Sequence, residues 1–343
     1  MTTMQQRRFG RTGLSVPHIT YGGGWVGGFI IRAGEAEREA MLDKALKVGI
    51  DWIDTAASYG QGRSEEVIGA WRAKRADRKA ARISTKFAVA DVTGDYESQL
   101  RASLAESYRR LAMSHVPLVT LHNSIITDTS APRRSPRDLT VSEMLRPGGA
   151  LDAMDKLRRD GLYDWVGITA LGEPAALKAV VESGRVDAAQ VYYNLLNPTA
   201  DVPAGPGWTT TDFDGLLHTC KAHDVGVTGI RILAAGVLAT RERHGREIPI
   251  TDNADAAAEQ MRADVALTAL GTNLGPGAEV AIRYGLASDL MATIEVGIGE
   301  AHHLDVALAA YAKGPLPAGT TNVLVPIWRA HPAFRKPVGT LTA

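Results

Sequence analysis

The stretch Gly49-Ile50-Asp51-Trp52-Ile53-Asp54-Thr55-Ala56-Ala57-Ser58-Tyr59 opens on a glycine, crosses a short apolar run and ends on a carboxylate, with a phenol five residues further on. Two other runs finish in the same way. Arg82-Ile83-Ser84-Thr85 ends in Lys86, and Val116 through Leu121 ends in His122. Outward from these, β-branched runs alternate with helical patterns along the whole chain. The candidate strands are His18–Gly22, Ile50–Asp54, Arg82–Lys86, Val116–His122, Trp165–Thr169, Ala188–Tyr192, Gly226–Ile230 and Met291–Val296. Between them apolar residues recur at helical spacing, as at Leu100, Leu104, Tyr108 and Leu111 or Leu151, Met154 and Leu157. Gly49, Gly161 and Gly184 stand where helices end, and Pro174 stands where one begins.

Strands that alternate with helices pair in parallel, because a parallel neighbour needs a crossover connection. Eight such strands predict a closed (β/α)₈ barrel, and 343 residues suit one such domain over 1–343. Three segments, 123–147, 197–211 and 239–253, carry no readable element and follow strands. They are expected to be long loops at the C-terminal mouth of the barrel.

Composition excludes several functions. Lys plus Arg balance Asp plus Glu at 38 each, which removes the electrostatic case for nucleic acid or an anionic membrane. The lone Cys220 permits no internal disulfide and reads as a small buried hydrophobe. No run approaches a membrane span and the N-terminus lacks a signal-peptide core, so a cytoplasmic protein is expected.

In a barrel the strand ends converge on one mouth, which brings Asp54, Lys86 and His122 together with Tyr59. One chemistry uses all four. A phenol with a pKa near 10 is a weak acid, and a lysine ammonium beside it makes the phenolate easier to form. Buried, Lys86 needs Asp54 as counter-ion. His122 donates a hydrogen bond to a carbonyl oxygen on which negative charge grows, while Tyr59 supplies the proton. No metal-ligand spacing is present. His302 and His303 are adjacent, and neighbours on a helix point apart.

These motifs resemble the aldo-keto reductases. Asp54 through Gly60, with Ser64-Glu65-Glu66-Val67-Ile68-Gly69, is similar to the signature around that superfamily's Asp and Tyr. Ser84-Thr85-Lys86 and Thr120-Leu121-His122 match its Lys and His motifs, and Phe9 through Val16 its bottom-closing hairpin. The resemblance implies a catalytic tetrad of Asp54, Tyr59, Lys86 and His122 and an extended nicotinamide cofactor, NADP ahead of NAD. It puts Gly23, Gly24 and Trp25 beside the nicotinamide, with Trp25 also walling the substrate pocket. Gln190, in Gln190-Val191-Tyr192-Tyr193-Asn194, takes the carboxamide. Thr169-Ala170 replaces the family's Ser-Asn, and Ile230 stands where an aromatic residue often stacks. The amides of Arg231 through Ala235, Leu233 among them, are left for the pyrophosphate. Gly297, Gly299, Glu300 and His303 fall at the adenosine end, where Glu300 repels a 2′-phosphate and His303 attracts it.

The residues leave rivals open. Gly22-x-Gly24-x-x-Gly27 followed by Asp54 fits a Rossmann dinucleotide site, but no helix opens inside the glycine run. Lys86 would serve a Schiff-base aldolase, which leaves Tyr59 and His122 unexplained together. A sugar dehydrogenase of the same fold, and a non-catalytic cofactor-sensing subunit, complete the alternatives. The substrate expected in each enzymatic case is a small carbonyl compound or alcohol.

Overall fold

The computed structural model describes residues 4–130, 132–247, 250–251 and 254–336. A short antiparallel hairpin, β1 (Gln6–Arg8) with β2 (Ser15–Pro17), precedes β3 (Ile19–Gly22), β4 (Trp52–Asp54), β5 (Arg82–Phe87) and β6 (Val116–Leu121). A two-residue pair, β7 (Ile125–Ile126) and β8 (Leu139–Thr140), leads to β9 (Tyr163–Thr169), β10 (Ala188–Tyr192), β11 (Gly226–Ile230) and β12 (Thr293–Gly297). Eight strands close in the order β10-β11-β12-β3-β4-β5-β6-β9, with β9 pairing back onto β10. The parallel barrel is therefore the one expected. Closure also disposes of the Rossmann rival, since the glycine run after β3 forms a turn and only a four-residue helix, Phe29–Arg32, follows it.

Each strand is driven by its own pattern. Ile83, Val119, Val166 and Ile168 are buried, as are the helix faces made by Leu100, Leu104 and Leu111 and by Leu151, Met154 and Leu157. Gly161 and Gly184 take positive φ beyond their helices and Pro174 opens its own, as expected. The segment 123–147 departs from the irregular loop expected of it. It contains β7, β8 and the helix Val141–Leu145, whose Thr140–Glu143 capping box satisfies its first amides.

The hairpin plugs the bottom. Phe9 and Val16 pack with Trp52, Leu118 and Ala188 in a cluster separate from the main core. Gly10 has φ +50°, and a Cβ there would lie 2.2 Å from the Gly226 amide nitrogen at the start of β11, so only glycine fits. Phe9→Ala is expected to cost about 3–5 kcal/mol of unfolding free energy by emptying this plug, and urea denaturation would read it. A loss near zero would show the plug to be ornamental to stability.

Candidate active site

Asp54 is the last residue of β4 and Lys86 the fifth of β5, and the register that pairs Asp54 with Ser84 sets them side by side. The Lys86 Nζ forms an ion pair with Asp54 Oδ2 and donates to the Thr55 carbonyl at 3.0 Å. Ser84 Oγ donates to Asp54 Oδ1 at 2.8 Å and itself accepts from Trp52 Nε1 at 2.9 Å. Both charges are almost wholly buried. A buried pair is stable only when each partner is further hydrogen-bonded, as both are here.

Tyr59 descends from the turn after β4. The Lys86 Nζ stands 4.8 Å from its ring centroid, close enough for its charge to act on the phenol. His122, one residue past β6, meets the Tyr59 ring edge-on with centroids 5.9 Å apart. Phenol, ammonium, imidazole and carboxylate thus surround one small volume, as the strand ends predict. Gly24 closes it, where a Cβ would sit 3.7 Å from the Tyr59 ring.

The electrostatics correct one expectation. Burial pushes the Tyr59 phenol up to about 12; Lys86 pulls it down, but Asp54 and Glu295 add to the rise. The resting phenol is a proton holder, and Lys86 limits how far burial raises it. Burial, aided by Lys86, drops His122 to about 4, so the imidazole is neutral at neutral pH and offers a hydrogen bond without a full charge. For Lys86, burial alone would lower the pKa; Asp54 and then Tyr59 outweigh it, and the ammonium is held above its usual range.

The remaining expected residues line the mouth in a band. Thr169 Oγ1 donates to Gln190 Oε1 at 3.3 Å, across paired strands β9 and β10. Ile230 ends β11 and is half-buried. Arg231, Ala234 and Ala235 then take positive φ, a backbone form that turns amides toward a concavity suited to anions. The Ala234 amide is committed to the Arg231 carbonyl inside that turn, and Leu233 accepts from Gly236. Asn194 fixes the turn by donating to the Arg231 carbonyl at 3.0 Å. Gly23 lies against Asp54, and Trp25 stands 41% exposed at the rim.

Gly297 and Gly299 approach Gly27 in the loop after β3. His303 Nδ1 accepts from the amides of Gly299 and Glu300, both at 3.2 Å, while burial and then His302 lower its pKa. His302 and His303 do not point apart. Their rings are 4.5 Å from each other at the point where the helix His303–Lys313 begins. With Glu300 they form a cluster in which Glu300 and His302 are exposed and His303 is half-buried. Arg32 and Arg246 are near enough to repel each other here, and Arg246 reaches the Val26 carbonyl.

Two further side chains of the mouth belong to no motif in the sequence. Arg231 brings more than its backbone: the residue is partly buried, and its charge acts on Tyr192, Tyr59 and Glu295. Glu295 falls inside the candidate strand Met291–Val296, with no motif around it. A lone acid between Ile294 and Val296 was the available signal.

A nicotinamide dinucleotide fits these residues. The Thr169–Gln190 pair offers amide chemistry, the left-handed turn offers an anion cradle, and glycines at 297 and 299 leave room along the rim. Fold and site together define a barrel oxidoreductase. A family model described as the aldo/keto reductase family matches residues 18–324. Among curated relatives, D-threo-aldose 1-dehydrogenase of a Pseudomonas species is 27% identical, spanning 90% of this chain and 92% of that one. L-galactose dehydrogenase of Arabidopsis thaliana is 24% identical, over 91% and 90%. The aldo-keto reductase AKR11C1 of Bacillus halodurans, in its holo form, superposes with a TM-score of 0.70 at 20% identity, over 94% and 95% of the two chains.

The chain belongs to the aldo/keto reductase family. It is a nicotinamide-dependent enzyme that interconverts an aldehyde or ketone with its alcohol. No helix among the described residues is long and apolar enough to cross a membrane.

Proposed function

We propose that Tyr59 is the proton donor and acceptor of this reaction, with Lys86 and Asp54 holding its charge environment and His122 orienting the carbonyl. The observation that carries the reading is the Tyr59 phenol set between the Lys86 ammonium and the His122 ring, over a buried Asp54. When bound, the reduced nicotinamide supplies hydride to the carbonyl carbon. Tyr59 gives its proton to the oxygen, and His122 steadies the developing charge from the other side. In the reverse direction Tyr59 takes the proton back. Gln190 and Thr169 receive the carboxamide; the turn of Arg231 through Ala235, with Leu233, receives the pyrophosphate; Gly297, Gly299, Glu300 and His303 border the adenosine. Gly23, Gly24 and Ile230 flank the nicotinamide, and Trp25 closes the substrate side.

We favour NADP over NAD. Arg32 donates to the Gly27 carbonyl and Arg246 to the neighbouring Val26 carbonyl, so two cations stand at the rim that Gly27 and Ile298 share. A phosphate received between them gains charge-assisted hydrogen bonds from both. Fluorescence titration is expected to give NADPH an affinity about tenfold or more above NADH, an advantage that shrinks in Arg246→Ala. Equal affinities would remove the preference. A panel of aldehydes, ketones, aldoses and alcohols, assayed in both directions with all four dinucleotides, tests the whole reading. Aldoses belong in it because two relatives carry the names of sugar dehydrogenases. No turnover with any member would reject the assignment.

A further inference from the structure

Beneath the phenol lies an acid that the four groups above do not require. Ile294 faces outward, against the helix Gly277–Leu286, so Glu295 beside it in β12 turns toward the barrel interior. Strand β3 runs between β12 and β4, pairing Gly22 with Gly297 on one side and with Asp54 on the other. A Cβ at Gly22 would lie 2.8 Å from Glu295 Oε1 and 3.0 Å from its Cγ. The missing side chain opens a window across β3. Through it Glu295 and Asp54 flank Gly22 from its two neighbouring strands, and each carboxyl feels the other's charge. From β10, Gln190 Nε2 donates to Glu295 Oε2 at 3.4 Å.

The charged groups that face Glu295 are Asp54 from β4, Lys86 from β5 and Arg231 from the turn after β11, with Tyr59 beyond Lys86. Strand β10 presents the neutral Gln190, and β3 presents Gly22. Two carboxylates that share one small site do not both ionise cheaply, so one keeps a proton. Burial, and then Asp54, push Glu295 up to about 8, against the opposing pull of Lys86 and Arg231.

We propose that Glu295 is a fifth working group of this site, a positioning residue that holds its proton against Asp54 and releases it when positive charge enters the mouth. The inference rests on the reading above that Gln190 receives the nicotinamide. An oxidised nicotinamide is a cation and a reduced one is neutral. The cation favours the ionised carboxylate, so its arrival sends the Glu295 proton to solvent. The added negative charge then offsets the added positive charge. Tyr59 and Lys86 meet a similar field in either redox state of the cofactor, and one phenol serves both directions.

Calorimetric titration of oxidised and reduced dinucleotide, in two buffers of unlike ionisation enthalpy at neutral pH, reads the protons released on binding. Charges on the phosphates are common to both forms and cancel in the difference. In the wild type, oxidised minus reduced is expected to reach roughly half a proton or more, and to vanish well above the Glu295 ionisation. In Glu295→Gln the difference disappears, and affinity for the oxidised form falls about tenfold relative to the reduced form. Binding of the reduced form and the melting temperature serve as controls for folding. An unchanged proton difference in Glu295→Gln overturns the proposal. So does the lack of any difference in a wild type that binds and turns over both forms. Should Glu295→Gln fail to fold, the wild-type pH series decides alone. A wild type that binds neither dinucleotide would instead reject the cofactor reading on which this one stands.

Discussion

Tyr59→Phe is expected to lower kcat for carbonyl reduction by about 10²- to 10⁴-fold, the usual worth of a positioned general acid, while leaving the dinucleotide affinity nearly as it was. The hydroxyl is the one atom lost. The ring that meets His122 edge-on and carries the Lys86 ammonium over its face is kept, so the pocket retains its shape. Neither His122 nor Lys86 is an adequate substitute donor. Burial drops the imidazole to about 4, so at neutral pH it bears no extra proton, and Lys86 is held protonated chiefly by its ion pair with Asp54. Single-turnover reduction in the variant, with cofactor binding followed separately, reads both halves. A rate within a few fold of wild type would take Tyr59 out of the chemistry.

Lys86→Met is expected to be as damaging to turnover, for a different reason, and to destabilise as well. The ammonium pulls the Tyr59 phenol down through its charge, against burial, Asp54 and Glu295. Without it the phenol is harder to ionise, and alcohol oxidation, which needs the phenolate, suffers more than carbonyl reduction. Removing one partner of a buried pair leaves the other unpaired, at a cost of about 3–5 kcal/mol. The double replacement Asp54→Asn with Lys86→Met separates these effects. It is expected to regain most of the stability in a denaturant titration while turnover remains at the level of the single variant. Recovery of turnover along with stability would show that Lys86 acts through folding alone.

The barrel and the four-group cluster are legible in the sequence because both arise from periodic, local rules. A strand that is buried on both faces and ends on a charge announces itself at Asp54 and Lys86, and closure of the sheet does the rest. His122 was legible as a strand end although it falls one residue beyond β6. The segment 123–147 was misread as irregular. Its strands β7 and β8 are only two residues long, too short for a period to show, although Thr140 and Glu143 stand at capping-box spacing. Glu295 was missed because a single acid does not break an apolar strand pattern. Its meaning depends on Gly22, some 270 residues away in the chain but one strand away in space. The sign of the shift at Tyr59 was also hidden, since burial is a property of the assembled mouth and of no motif.

The hairpin that corks the barrel has a practical consequence for handling the enzyme. Residue 4 is tied to the Val48 carbonyl at the floor, whereas Lys336 is tied to Gly207, in the loop that leaves β10 at the top. The two ends of the described chain therefore leave from opposite poles of the molecule. A tether or reporter joined ahead of the hairpin hangs below the molecule and leaves the opening clear. The same tether joined after Lys336 hangs beside the entrance used by substrate, and competes with it for space.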